Sequence, residues 1–284
     1  MVFKPSPSQL ITDTLVFPES PRWRHGLLWI SDVHDYALKA IAEDGAVVHR
    51  HEVPGRPAGS GFVPDGTLLL ATALDRRLLT RSAAGVLTPV ADLSDLVTGL
   101  VNDLVVGADG RAWVGDTGFD LMTGSPRPGR ILTFTLDEGP RVAAEGVEFP
   151  NGMVLSPDGR ELIVNESTAD RTSVFSVAPD GTLLRDRTLA EFGPMPDGLC
   201  LDTDGAVWVP LLRGGRFVRV SRDGRLLDEV DAAGRMPVSC TFGGPDREWL
   251  YLCSAETTMA ELRQGRSRGF VHRIPAPAPG AGRP

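Results

Sequence analysis

Short runs of alternating or β-branched apolar residues, each introduced by a turn pair rich in Asp and Gly, recur along the whole chain. They read RHGLLWISD from Arg24, PDGTLLLAT from Pro64, ADGRAWVGD from Ala108, PDGRELIVN from Pro157, TDGAVWVPL from Thr203 and PDREWLYLC from Pro245. Asp and Gly tolerate the positive φ of a tight turn, so each stretch predicts a β-hairpin. A second hairpin follows each of the first five: ALKAIAEDGAVVHRH, RLLTRSAAGVLTPVA, RILTFTLDEGPRVAA, TSVFSVAPDGTLLRD and RFVRVSRDGRLLDEV. Each unit is therefore four strands, repeating every 40 to 50 residues or so, the period of a propeller blade. Helical periodicity is nearly absent, with LSDLVTGLVNDL from Leu93 the one weak candidate.

This pattern predicts an all-β fold: a six-bladed β-propeller of four-stranded antiparallel blades, with residues 1–275 as one domain. TDTLVFPES from Thr12 precedes the first blade, and GFVHRIPAP from Gly269 has no hairpin partner after it. These N- and C-terminal strands are predicted to share one blade and close the ring, which removes two sheet edges. The Pro/Gly-rich residues 276–284 are expected to be a disordered tail.

Composition narrows the class. The 284 residues carry a formal charge of −8, and only Lys4 and Lys39 of the 29 basic residues are lysines. No basic footprint suggests nucleic acid or an anionic membrane as partner. The N-terminus lacks the apolar core of a secretory signal, and no apolar run approaches a membrane span. The three cysteines, Cys200, Cys240 and Cys253, have no metal-type spacing and read as buried free thiols. The expectation is a cytoplasmic protein, monomer or homodimer, acting on a small molecule.

Candidate chemistry lies at the strand entrances. Seven residues before the turn Asp stand Ala58, Asn102, Asn151, Asp197 and Ser239, and in the first unit the equivalent, slipped by one, is Glu19. These positions open the innermost strands, which line a propeller's channel, so all six side chains are expected to converge near its axis. Asn or Asp before Gly is more often a turn residue satisfying its own backbone. Four polar residues at one register of a six-fold repeat are less easily explained that way. Glu19, Asn102, Asn151 and Asp197 offer two carboxylates and two amides, an oxygen set suited to Ca²⁺, Mg²⁺ or Mn²⁺. Carboxylates gathered in a narrow channel resist ionisation unless a cation neutralises them.

At these residues the chain resembles the SMP-30/gluconolactonase/luciferin-regenerating-enzyme family. The resemblance runs from about residue 12 to 275 and rests on PESPRW, NDLVVGADGRAWVGD, PNGMVLSPDG, PDGLCLDTDG and PVSCTFGGPDREWLYLCSA, in that order. It implies a six-bladed propeller with one divalent cation in the channel, of a kind of which many members hydrolyse lactones. The family's metal-ligand motifs fall on Glu19, Asn151 and Asp197. Asp197 matches the proposed general base, and Asn102 a residue that contacts substrate or a water on the cation. Ca²⁺ is the first choice of cation, with Zn²⁺, Mn²⁺ and Mg²⁺ as alternatives. Sugar-lactone members carry a substrate-binding arginine where this chain has Leu100, and their acidic substrate contact aligns with Asp120. An apolar Leu100 favours a less polar lactone or ester.

The expected reaction is attack of water on a cation-polarised lactone carbonyl, with Asp197 taking the proton. The alternatives are a metal-dependent esterase or phosphotriesterase, or a non-hydrolytic enzyme using the same site on a biosynthetic intermediate. A propeller that only binds or scaffolds is a further alternative. Other residues rank lower: His34 reads as a surface-loop histidine before a channel-mouth one, Asp103 as a turn cap or a support to the site. Asp116 stands on a loop that can reach the mouth, and Ser60 lacks the context of a nucleophile.

Overall fold

A computed structural model describes residues 8–282. Among these described residues twenty-four strands form six four-stranded antiparallel sheets. Five blades follow chain order, their strands lying within residues 18–52, 57–92, 101–147, 150–191 and 200–231. The sixth combines Met236–Gly243, Trp249–Glu256 and Arg268–Pro275 with the N-terminal strand Gln9–Leu15 on its outer edge. The predicted closure is thus formed by one antiparallel pair, Gln9 opposite Arg273 through Leu15 opposite Gly269. Arg268 pairs with Asp13 and Arg273 donates to Gln9 at 3.0 Å across that seam.

Side-chain alternation explains how one sequence pattern builds the ring. Successive residues of a strand point to opposite faces, and each face of an inner blade is covered by a neighbouring blade. Leu68 and Leu70 pack toward the first blade, whereas Leu69 packs toward the third. Val154 packs against the fifth blade while Met153 and Leu155 pack against the third. An apolar cluster fills each of the six blade interfaces in this way. Hence TLLLAT is a continuous apolar run: both its faces are buried. Truncating a residue such as Leu70, which is fully buried, to Ala would cost about 2–5 kcal/mol.

Two expectations change. LSDLVTGLVNDL is no helix: residues 93–100 form a turn and a connection, and Val101–Val106 is the innermost strand of the third blade. The connection is held by the Asp116 carboxylate, which accepts from the Thr98 and Gly99 backbone N–H groups. Among the described residues the α-helical element is the single turn Met259–Leu262, started by a Thr258/Glu261 capping box. Residues 276–282, expected to be disordered, lie along the fifth and sixth blades instead. Ala276 donates to Glu248, Gly280 to Arg247 and Ala281 to Leu201, and Thr203 donates to Pro279. Residues 283 and 284 lie outside the described residues. The three cysteines are free and buried, and no described helix is long and apolar enough to cross a membrane.

Candidate metal centre and substrate cavity

The six inner strands enter at one register. Pro18, Pro57, Val101, Pro150 and Pro237 face Asp32, Thr72, Asp116, Glu166 and Ser254 on the neighbouring strand, and Pro196 bridges Leu211. The next residues are Glu19, Ala58, Asn102, Asn151, Asp197 and Val238. In the first four and in the sixth blade the ladder breaks here with a bulge. A bulge re-aims a side chain that strict alternation would send into the blade interface. The sixth blade corrects the expectation for Ser239. Its irregularity is shorter, Pro237 to Ser239 against Pro150 to Met153, but the strand beyond it is longer, ending at Gly243 against Leu155, so counting seven back from the turn stops one residue short. The equivalent residue is the buried Val238.

The Asn-Gly and Asp-Gly pairs at these entrances are not turns. Gly152 and Gly198 have no positive φ. A Cβ on Gly152 would stand 2.6 Å from the Gly198 Cα, and one on Gly198 would stand 2.1 Å from Ser239 Oγ. Inner strands crowd around the axis, and glycine is what fits between them.

Glu19, Asn102, Asp103, Asn151 and Asp197 all line one cavity of about 680 Å³. Asn151, Asp103 and Asp197 are buried, and Glu19 and Asn102 are reached partly through the cavity. Asn151 Nδ2 donates to Ser167 Oγ at 3.1 Å, and Ser167 donates to the Pro196 carbonyl at 2.6 Å. That relay ties the fourth blade to the fifth and orients the Asn151 amide. Asn165 adds a bond from Nδ2 to the Asp197 carbonyl at 2.7 Å, holding the Asp197 backbone. Asn102 Nδ2 donates to the Pro150 carbonyl at 3.3 Å.

Electrostatics single out the acids. Burial pushes Glu19 well above the usual carboxylate range, and the nearby Asp197 and Asp103 charges push it further. Burial raises Asp197 to about 8, against a hydrogen bond from Asn151 and with Asp103 adding to the rise. Asp103 is also raised by burial, while Arg22 and the Leu104 N–H oppose it. Arg22 Nη2 lies 3.4 Å from Asp103 and donates to the Leu104 carbonyl at 2.8 Å. Among the described residues no three His, Cys, Asp or Glu side chains group as an ion site by themselves. A cation here therefore depends on the Asn151 amide oxygen. The set fits one: three oxygen donors from three blades, two of them acids that form no ion pair among the described residues.

Other expected residues are placed more loosely. Leu100 lines the cavity. Asp120 also lines it, but its oxygens are occupied locally by the Met122 N–H at 2.8 Å and Thr123 Oγ1 at 2.8 Å. Asp116 is fully buried and structural, accepting from Thr98, Gly99 and Gly118. Ser60 is buried against Ser20. His34 lines the cavity rather than a surface loop, its ring stacked on Phe17 at 5.2 Å. Ser167 and Arg56, both in the lining, were not singled out by sequence reading. Alignment on the Pro that opens each inner strand, rather than on the distal turn, would have exposed Arg56.

The profile of the SMP-30/Gluconolactonase/LRE-like region matches residues 17–256, and the chain belongs to that family. It is 30% identical over 192 residues to 6-deoxy-6-sulfogluconolactonase of Pseudomonas putida, covering 64% of each protein. It is 28% identical over 261 residues to pentonolactonase XacC of Haloferax volcanii, covering 86% of each. Its fold matches that of the calcium-binding protein regucalcin of Agrobacterium tumefaciens, with a TM-score of 0.82 at 22% identity. That superposition covers 100% of this chain and 97% of the other.

Proposed function

We propose that this protein hydrolyses a lactone with the help of one divalent cation held by Glu19, Asn151 and Asp197, Ca²⁺ being the first choice. The observation that carries the reading is the meeting of two acids without an ion-pair partner among the described residues and a hydrogen-bonded amide on one cavity. The family, and relatives whose names describe lactonases, support the reaction class. All three donors are oxygens, which favours a hard cation over zinc.

When bound, the cation would polarise the ester carbonyl and ease the build-up of charge on its oxygen, a contribution of several kcal/mol. Asp197, its carboxylate kept ionised by the cation, takes the proton of the attacking water. Asn102 has its amide nitrogen tied to Pro150, which leaves the oxygen to accept from a substrate hydroxyl or the water. Ser167 takes an N–H of the Asn151 amide, which leaves the Asn151 oxygen free to serve as a ligand. Leu100, Met195 and Leu212 give the cavity an apolar side against which a lactone ring can lie.

The test is proton release from a panel of sugar lactones, aliphatic γ- and δ-lactones, an aryl ester and a phosphotriester. Chelation is expected to abolish turnover of at least one lactone, and added Ca²⁺, Mn²⁺ or Mg²⁺ to restore it. Turnover of the phosphotriester alone, or of nothing with any cation, would end the lactonase reading.

A further inference from the structure

The residue before each inner-strand entrance forms a second ring above the acids. Going round the blades it is Phe17, Arg56, Leu100, Phe149, Met195 and Met236. Five are apolar and one is an arginine. Arg56, Phe149 and Met195 share a left-handed backbone, with φ of 63°, 55° and 59°. For non-glycine residues such φ values are uncommon and persist only where the surroundings enforce them. All but Met236 line the cavity. In the second blade the inner position below is Ala58, so that blade supplies no donor to the acids and leaves space under the arginine.

Arg56 is unmatched. Its Nε is buried without a hydrogen-bond partner, and among the described residues its guanidinium forms no ion pair. Asp120, also in the cavity lining, spends both oxygens on its own loop. His34 stands close enough that burial first, and then the Arg56 charge, lower its imidazole below its ordinary range. It is therefore neutral and does not compete for an anion, and its buried Nδ1 is also unpaired. The Arg56 backbone is pinned, its N–H on the Val53 carbonyl and its own carbonyl on the Ala73 N–H, each at 2.9 Å. A guanidinium presents a fixed fork of donors matched to a planar or tetrahedral oxyanion. A buried donor with no partner is costly unless a ligand supplies the acceptor.

Resting on the lactonase reading above, we propose that Arg56 recognises an oxyanion substituent on the substrate. The lactone opened here carries a carboxylate or sulfonate on the side facing the second blade, and the four apolar ring residues that line the cavity exclude water around it. Arg56 thereby sets specificity, while the cation and Asp197 carry the chemistry.

The experiment uses the full chain loaded with Ca²⁺ and pairs of γ-lactones that differ in one substituent. One pair compares a carboxylate with its carboxamide, the other a sulfonate with its sulfonamide. The wild-type protein is expected to favour the charged member of at least one pair by about 10- to 100-fold in kcat/KM, mainly through KM. Arg56→Ala is expected to collapse that ratio at least tenfold, and Arg56→Lys to restore part of it. The pair showing the preference tells carboxylate from sulfonate. No preference in the wild type, or a preference that survives Arg56→Ala, overturns the proposal. Calorimetric binding of the ring-opened acids needs no turnover. If no lactone is hydrolysed, the activity reading falls, and the subsite stands or falls on whether Arg56→Ala weakens binding of the charged ligand relative to the neutral one. A circular-dichroism melt of each variant separates loss of recognition from loss of fold.

Discussion

Two sets of buried acids stand back to back in this propeller and behave in opposite ways. Asp32, Asp116 and Glu166 end second strands at one equivalent register, opposite Pro18, Val101 and Pro150. All three are fully buried and saturated. Asp32 accepts from the Val16 and Phe17 N–H groups and Lys39, Asp116 from three N–H groups and Thr98 Oγ1, and Glu166 from Arg171, Arg185, Ser173 and the Glu148 N–H. Each clasps the chain just before it enters an inner strand. Glu19 and Asp197 sit one residue beyond such entrances and have no comparable donors. Burial alone would raise Glu166, yet its hydrogen bonds from Arg185, Arg171 and Ser173 hold it at about 2, whereas Asp197 is pushed up to about 8. Burial is shared; partners decide. Acids with all their partners build the scaffold, and acids without them mark the site.

The largest effect that sharpens this contrast is expected from Asp197→Asn. It keeps an oxygen donor and removes the base, so lactone turnover should fall by about 10²- to 10⁴-fold in a proton-release assay. Its melting temperature in the absence of cation should not fall, because an uncompensated acid has been replaced by a neutral amide. Full activity would mean that another group takes the proton.

Glu166→Gln should do the reverse. Removing one partner of a buried ion pair costs about 3–5 kcal/mol, and the partly exposed Arg171 and Arg185 place the loss near the lower end, about 3 kcal/mol. Chemical denaturation measures it, and a loss below about 0.5 kcal/mol would refute the structural role.

The smallest effect is in the pH dependence of stability, where the two sets have opposite signs. Glu166 is depressed, so its contribution is present above its ordinary value and fades only as pH falls through about 2. Asp197 is raised, so in cation-free protein its contribution is present at low pH and is lost as pH rises through about 8. Melts between pH 6 and 9 with chelator should show a decline of a few degrees. Asp197→Asn, or added Ca²⁺, should remove it, and a flat wild-type profile would count against the shift.

How much of this was legible in the chain differs residue by residue. Turn pairs before TLLLAT or AWVGD are local signals, so the blades and their closure could be read without tertiary information. Glu19, Asn151 and Asp197 were legible as neighbours because they stand at one spacing, slipped by one at Glu19, before the turn that ends each inner strand. Ser239 was misplaced because the extra length of the sixth inner strand beyond its bulge is invisible in spacing. Asp116 and Asp120 look alike in DTGFD, and only their hydrogen-bond partners separate a buried clasp from a loop residue at the cavity.

Hydrophobic alternation and turn chemistry, both properties of a few consecutive residues, determined the repeat, the strand count and the all-β class. What the chain could not state locally is which polar groups find partners. A carboxylate's charge state and an arginine's freedom depend on donors and acceptors brought from other blades, so the raised acids Glu19 and Asp197, and the unmatched Arg56, exist only once the ring has closed.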